Sequence, residues 1–426
     1  MTGSSREPVR TRLAASGISF VIGGAAALLV QIVAVRMLGA ESYGQYATVI
    51  AVVALCELAA LNRGGELALG VLGSAWVSQR RGDIRALTPA LVRLDRHWAA
   101  GALAVLAAIA LALGDHPSIE PAWLLIAGVA IPIQIGYGAD KAILIVSGEI
   151  ATLAKAEIAI SLIGAAVALV LLMAFGAIGL VSAYTAAAAT KVAIVRRRAN
   201  RKRETLAPGE AGTASRSLNV LPAQLTTTAR NLVMALGEQA DIILLSALAG
   251  PAAAGTYKVA KSLATLPARA VGPIWASLRP ELVGYWFAAD RSPLRSVIFR
   301  PTLLLMLVGS VVIPLCWFFG IPVISHVYGI DGATVVPAMT ILLAGSWIYF
   351  GVAGWYRFMM LLDDNKWRSL TWSAGQAAWL MAAGALLAAR GTVAMSVVVA
   401  IGQLAISALA VAWLLRSTQR PSATGP

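Results

Sequence analysis

Long apolar runs separated by short polar segments follow one another along the whole chain. Most runs are about 20 residues long, the length that an α-helix needs to cross the hydrocarbon core of a bilayer. They lack the short alternating pattern of an outer-membrane β-barrel, so the pattern predicts an all-α integral membrane protein. Twelve spans are expected, at 16–38, 44–78, 88–113, 121–146, 152–174, 177–195, 219–247, 254–284, 297–319, 334–362, 368–389 and 392–415.

A motif of two glycines and a tyrosine occurs once in each half of the chain. The two copies, 211 residues apart, are Gly39, Gly44 and Tyr46, and then Gly250, Gly255 and Tyr257. An apolar run precedes and follows each copy, so two halves of like construction are the simplest account. Because glycine reaches positive φ without steric cost, each copy predicts a hairpin between two membrane helices.

Helix breakers stand at matching places in the second and eighth spans, as Gly64 with Gly65 and as Gly272 with Pro273. Backbone freed by such a break must be buried in protein or face a watery cavity. The breaks favour a central cavity between two lobes, with kinks that merely fit neighbouring helices as the alternative. Further kinks are expected at Pro132, Pro267, Pro314 and Pro337.

Composition agrees with a membrane protein, since 59% of the residues are hydrophobic, 13% are charged and the mean hydropathy is +0.78. The net charge of +14 does not indicate nucleic acid, because Lys and Arg concentrate in alternate loops and at the termini. That bias predicts a multi-pass membrane protein with both termini in the cytoplasm. The basic segment 199–217 is predicted to be a cytoplasmic linker between six-helix lobes at 1–198 and 218–426.

Ionisable residues inside the predicted spans are the candidate functional groups. Each one at the bilayer centre costs about 2.5–3.5 kcal/mol on insertion scales, so most must face the protein interior. The cations are Arg63, Lys141, Lys191, Arg230, Lys258, Lys261, Arg269 and Arg357, and the acids are Glu57, Glu66, Asp140, Glu157, Glu238 and Asp241. The excess of cations favours an electropositive cavity for an anionic substrate, and internal neutralisation by the acids is the alternative.

Helical spacing places many of these groups on common faces. At 100° per residue, Lys258, Lys261, Thr265 and Arg269 fall in a stripe about 80° wide. Thr227, Arg230, Asn231, Glu238 and Asp241 fall within about 100° on the preceding span. The predicted cavity cations are Arg63, Lys141, Arg230, Lys258, Lys261, Arg269 and Arg357. No Cys or His cluster has metal-ligand spacing, and neither a cofactor nor a catalytic residue is expected.

Three stretches resemble the corresponding parts of polysaccharide and O-antigen flippases: Leu38 to Tyr46 (LGAESYGQY), Asp241 to Lys261 (DIILLSALAGPAAAGTYKVAK) and Pro267 to Pro280. These flippases belong to the multidrug/oligosaccharidyl-lipid/polysaccharide exporter (MOP) superfamily. The resemblance extends over the whole chain in span count and half-repeat. It implies two six-helix lobes around a central cavity that opens alternately to either membrane face.

The resemblance further implies that an undecaprenyl-pyrophosphate-linked oligosaccharide is moved to the outer leaflet, in the biosynthesis of O-antigen, lipopolysaccharide or another surface polysaccharide. By position in the matching spans, Arg63, Arg230 and Arg269 carry over as groups that hold the pyrophosphate. Some relatives couple to Na⁺ or H⁺ through acids of the seventh span, where Glu238 and Asp241 stand; no motif here fixes such coupling. The implied partners are the lipid-linked oligosaccharide, membrane lipids and other polysaccharide-assembly membrane proteins.

Two alternatives remain open. One is a multidrug or metabolite exporter of the same superfamily, although organic cations would favour an acidic cavity. The other is a membrane polysaccharide polymerase or ligase, which would need catalytic groups on a sizeable outer loop. The longest predicted outer loop, 320–333, offers only His326 and Asp331.

Overall fold

The computed structural model describes residues 9–60, 68–69, 72–73, 81–113, 120–205, 220–269, 275, 278, 282, 292–362 and 366–417. This part of the chain is helical apart from short connections. The helices are α1 (Val9–Ala60), α2 (Arg81–Leu113), α3 (Pro121–Gly128), α4 (Ala130–Ile133), α5 (Tyr137–Val146), α6 (Ile150–Thr205), α7 (Val220–Ala249), α8 (Pro251–Arg269), α9 (Ser292–Tyr328), α10 (Gly332–Leu362), α11 (Lys366–Leu387) and α12 (Thr392–Ser417), with a 3₁₀ turn at Ala388–Arg390.

These helices confirm the all-α membrane fold, because each predicted span falls on helical chain wherever it is described. Helices α1 and α6, of 52 and 56 residues, each consist of two helices joined at a glycine with non-helical φ/ψ, Gly39 in α1 and Gly176 in α6. Within the described residues, seven helices are long and apolar enough to cross a membrane, or eight if a bent pair counts as one span. That pair, Pro121–Ile133 and Tyr137–Val146, is bent by 42°. The predicted kink at Pro132 therefore lies at a real break.

Other predicted boundaries differ from the structure. Helices α9 and α10 run on through Pro314 and Pro337. The predicted outer loop 320–333 is mostly helix, since α9 continues to Tyr328 and α10 begins at Gly332. Asp331 between them caps α10, and hydrogen bonds from Thr334 and the Ala333 amide lower the pKa of its carboxyl. The breakers at 64–65 and 272–273 lie outside the described residues.

The first glycine of each repeat turns the chain. Gly39 has φ 72° and ψ 173° inside α1, and Gly250 has φ 89° between α7 and α8. A residue with a side chain is strained in this region, whereas glycine is not. The predicted hairpin is confirmed at Gly250, because Asp241 before the turn contacts Tyr257 and Lys261 after it. At Gly39 the structure shows a break in the helix at the expected position.

The second glycine of each repeat has another role, because Gly44 and Gly255 lie inside helices. A Cβ built on Gly44 would overlap the carbonyl oxygen of Pro251, and one built on Gly255 would overlap that of Ala40. The contact is reciprocal, since Ala40 and Pro251 occupy equivalent positions in the two copies. The two glycines thus let two backbones touch, as small residues do in membrane helix pairs.

By contacts the chain divides into two compact units, Met1–Leu38 with Gln45–Gln239, and Gly39–Gly44 with Ala240–Pro426. The close glycine contact explains why residues 39–44 group with the second unit. The first 20 residues of α7 group with the first unit, although the sequence had suggested a boundary within 199–217. The described part of that linker, 199–205, is the end of α6.

Each unit has its own packed core. In the first unit, α3 packs on α2 and α6, and α5 packs on α6. In the second, α10 packs on α8, α9 and α12. A cluster around Trp275, Trp355 and Trp413 fills part of this second core.

Replacing either contact glycine by alanine should destabilise the protein. Because the added methyl group meets backbone rather than a flexible side chain, Gly44→Ala and Gly255→Ala should each cost about 1–3 kcal/mol. Thermal unfolding of the purified protein in detergent measures this loss. Gly101→Ala is the matched control, since Gly101 has open space around it. Equal melting temperatures for Gly44→Ala and Gly101→Ala would contradict the contact.

Candidate functional site

The most completely buried charge described in the second unit is the carboxylate of Asp241 on α7, which is 0% exposed. Lys261 Nζ donates to both of its oxygens, at 2.9 Å to Oδ1 and 2.6 Å to Oδ2. The Tyr257 hydroxyl donates to Oδ2 at 2.7 Å, and the Ile242 amide donates to Oδ1 at 2.9 Å. Both carboxylate oxygens are therefore satisfied inside the protein.

Helix spacing assembles this cluster. Tyr257 and Lys261 are four residues apart on α8, so their side chains project from one face one above the other. The turn at Gly250 brings α8 back beside α7, and that face then meets Asp241. A buried ion pair with this many hydrogen bonds balances much of the desolvation that each charge suffers.

In-span charges that the structure describes in the first unit are satisfied in a similar way. The Tyr184 hydroxyl of α6 donates to Glu57 Oε2 at 2.5 Å, and Glu57 is 1% exposed. Lys141 Nζ lies 3.1 Å from Glu157 Oε1 in a half-buried ion pair. Lys191 Nζ donates to Gln134 Oε1 at 3.4 Å and lies 4.2 Å from the centre of the Tyr137 ring, a cation–π distance.

A third group surrounds Asp140 of α5, which is 2% exposed. Arg196 Nε lies 3.2 Å from its Oδ2, and the Arg203 guanidinium contacts its Oδ1. Arg196 also donates from Nη2 to the Ile135 carbonyl at 2.5 Å, in the break that precedes α5. Both arginines belong to the end of α6, beyond the sixth span predicted at 177–195, and Arg203 lies in the segment predicted as a linker.

A further ion pair lies close to this group. Lys202 Nζ lies 3.2 Å from Glu149 Oε1. The Thr152 hydroxyl and Lys202 lower the pKa of Glu149, so its carboxyl is ionised at neutral pH. This pair connects the start of α6 to the same helix's end after the turn at Gly176.

The predicted site residues have different outcomes. Lys141 and Lys261 are each held by a carboxylate, as the alternative of internal neutralisation expects. Lys258 is half-buried on α8, and Glu238 is exposed on α7. Arg63 lies outside the described residues, as do the side chains of Arg230, Arg269 and Arg357 on α7, α8 and α10. For these four arginines a place in a cavity stays a prediction.

Sequence reasoning missed the two tyrosines that complete the clusters. Tyr257 was treated only as a motif residue, although its spacing of four from Lys261 was a usable signal. Tyr184 gave no local signal, because its partner Glu57 lies 127 residues away along the chain.

The fold is that of known membrane transporters. An inward-facing multidrug resistance MATE family transporter of the MOP superfamily covers 98% of this chain and 100% of its own, with 12% identity and a TM-score of 0.71. An outward-facing one matches with 97% of both chains covered, 13% identity and a TM-score of 0.66. A MOP superfamily transporter from Pyrococcus furiosus, reported for the reverse polarity of its binding pocket, matches with 97% of both chains covered, 13% identity and a TM-score of 0.64.

No protein-family model and no curated protein matches the sequence. At these identities the likeness concerns the fold, and it confirms the fold of the MOP superfamily implied by the resemblance.

The Asp241 cluster makes a testable energetic prediction. Removing one partner of a buried ion pair leaves an uncompensated charge, so Asp241→Asn and Lys261→Met should each cost roughly 3–5 kcal/mol. The double variant removes both charges and should be more stable than the sum of the single losses. Thermal and denaturant unfolding of the four purified proteins measures this coupling. Strictly additive losses would contradict the pair.

Proposed function

We propose that the chain is an alternating-access transporter of the MOP superfamily and performs no covalent chemistry. The observation that carries this proposal is the match of transporter folds along 97–98% of the chain. Inward-facing and outward-facing structures both occur among these neighbours, as expected for a carrier fold that alternates. The short connection between α9 and α10 gives little room for a catalytic outer loop.

The orientation belongs to the same proposal. Basic residues cluster at Arg6–Arg12, at 79–85 and at the end of α6, whereas the alternate connections hold few. We therefore place both termini in the cytoplasm. The sequence resemblance to polysaccharide and O-antigen flippases favours the bacterial inner membrane as the location.

Asp241 is our candidate for coupling transport to H⁺ or Na⁺, with Glu238 one turn away. The Asp241 carboxylate is fully buried, and Lys261 and Tyr257 already donate to the oxygens to which a proton or sodium ion would bind. Ion binding would thus change how α7 and α8 are held together.

For the substrate, the leading candidate is a drug or metabolite, moved outward. Two of the structural neighbours are multidrug resistance transporters. In addition, Lys141 and Lys261 are each neutralised by a carboxylate, so two of the cations that had favoured an anionic substrate no longer do so.

The second candidate is a lipid-linked oligosaccharide, moved as its undecaprenyl pyrophosphate. It is favoured by the sequence resemblance around Tyr46 and Tyr257 and by the in-span arginines Arg63, Arg230 and Arg269. The paired N–H donors of an arginine guanidinium can bind pyrophosphate oxygens, so an anionic substrate would need these side chains for binding. Membrane partners in polysaccharide assembly are expected only for this candidate.

A deletion strain distinguishes the two substrates. An exporter predicts greater sensitivity to cationic drugs with normal surface polysaccharide, whereas a flippase predicts loss of polysaccharide with unchanged drug sensitivity. Complementation by Arg63→Ala/Arg230→Ala/Arg269→Ala should fail only for the flippase, and Arg197→Ala/Arg201→Ala/Arg300→Ala is the control with exposed arginines. Immunoblots of membranes must show equal insertion. If purified protein in liposomes moves neither a drug nor a lipid-linked glycan, transport itself is contradicted.

A further inference from the structure

A cavity of about 590 Å³ lies within the first unit, among α2, the break before α5 and the end of α6. We name it the arginine pocket, because Arg93 and Arg96 of α2 and Arg196 and Arg203 of α6 all line it. None of these four belongs to the predicted cavity cations. The pocket's volume is in the range of small-molecule sites.

The four arginines fall into two pairs. Arg196 and Arg203 are anchored, since both donate to Asp140 and Arg196 also donates to the Ile135 carbonyl. Arg93 and Arg96 are exposed, and neither side chain forms a hydrogen bond or ion pair in the part of the chain that the structure describes. One pair therefore builds the wall, and the other has its donors available.

The charges do not cancel. Among the described residues, Asp140 is the one carboxylate that lines the pocket, and Asp95 of α2 lies next to it, with Oδ2 accepting the Gly136 amide at 3.1 Å. Even if both carboxylates are counted, two positive charges remain. In addition, Arg203 Nε is buried without a hydrogen-bond partner among the described residues.

The guanidiniums of Arg93 and Arg96, which have no partner among the described residues, and the buried Nε of Arg203 could all donate to one anion with several acceptor oxygens. A phosphate group is such an anion, because its oxygens accept the paired N–H donors of arginine. A single carboxylate would leave more of these donors unsatisfied. The polar groups of the pocket therefore favour a phosphate group over a single carboxylate.

We propose that the arginine pocket binds a phosphate group, and that an anionic phospholipid headgroup is its preferred source. The pocket lies where α2 and α6 approach their basic ends, which the loop charges assign to the cytoplasmic side. Basic pockets between membrane helices on that side are suited to anionic headgroups. The proposal is independent of the transported substrate, since it involves neither Asp241 nor the in-span arginines of the second, seventh and eighth spans.

Lipid binding to the delipidated full-length protein tests the proposal. Native mass spectrometry compares retention of phosphatidylglycerol and phosphatidylcholine, and thermal unfolding records stabilisation by each lipid. The wild type should prefer phosphatidylglycerol about tenfold or more, as two arginines near an anionic headgroup would give. Arg93→Gln/Arg96→Gln should lose this preference while keeping its melting temperature without added lipid, because both side chains are exposed.

Arg201→Gln/Arg300→Gln is the matched control, with two exposed arginines that do not line the pocket. It should keep the preference. Inorganic phosphate distinguishes the source: if it displaces phosphatidylglycerol and stabilises the wild type but not Arg93→Gln/Arg96→Gln, the pocket binds the free ion. If it does not displace the lipid, the headgroup is the ligand. An unchanged preference in Arg93→Gln/Arg96→Gln, or an equal loss in the control, would overturn the proposal.

Discussion

A charge inside a hydrocarbon layer must be satisfied by the protein, because neither water nor lipid can satisfy it. Asp241 meets this constraint through Lys261, Tyr257 and a backbone amide, and Asp140 meets it through two arginines of α6. The partners of each cluster belong to one compact unit. A unit can therefore change its surroundings without exposing these charges, as the proposed alternating access would require.

Close backbone packing joins the two copies of the glycine motif. Gly44 and Gly255 make equivalent approaches to Pro251 and Ala40, so the internal repeat is also a physical contact. Residues 39–44 consequently group with the second unit although they come early in the chain. Duplication thus explains both the like construction of the halves and the surface by which the two motifs meet.

The sequence predicted most of the fold, because apolar run length and glycine conformation are local properties. Gly39 and Gly250 were expected to turn the chain, and they do. The sequence could not predict pairs such as Glu57 with Tyr184, since the partners of a buried charge depend on contacts between distant segments. The basic end of α6 was interpreted as linker, because surface charge hides the continuation of a helix whose other face packs on α5.

Distances between spin labels test alternating access most directly. In a variant with Cys56 and Cys316 replaced, one label pair at Glu120 and Ala333 reports on the predicted outer side, and another at Thr205 and Ser296 reports on the inner side. On adding substrate, H⁺ or Na⁺ to protein in nanodiscs, one distance should lengthen while the other shortens. Two distances that stay fixed, or that always change in the same direction, would contradict the account.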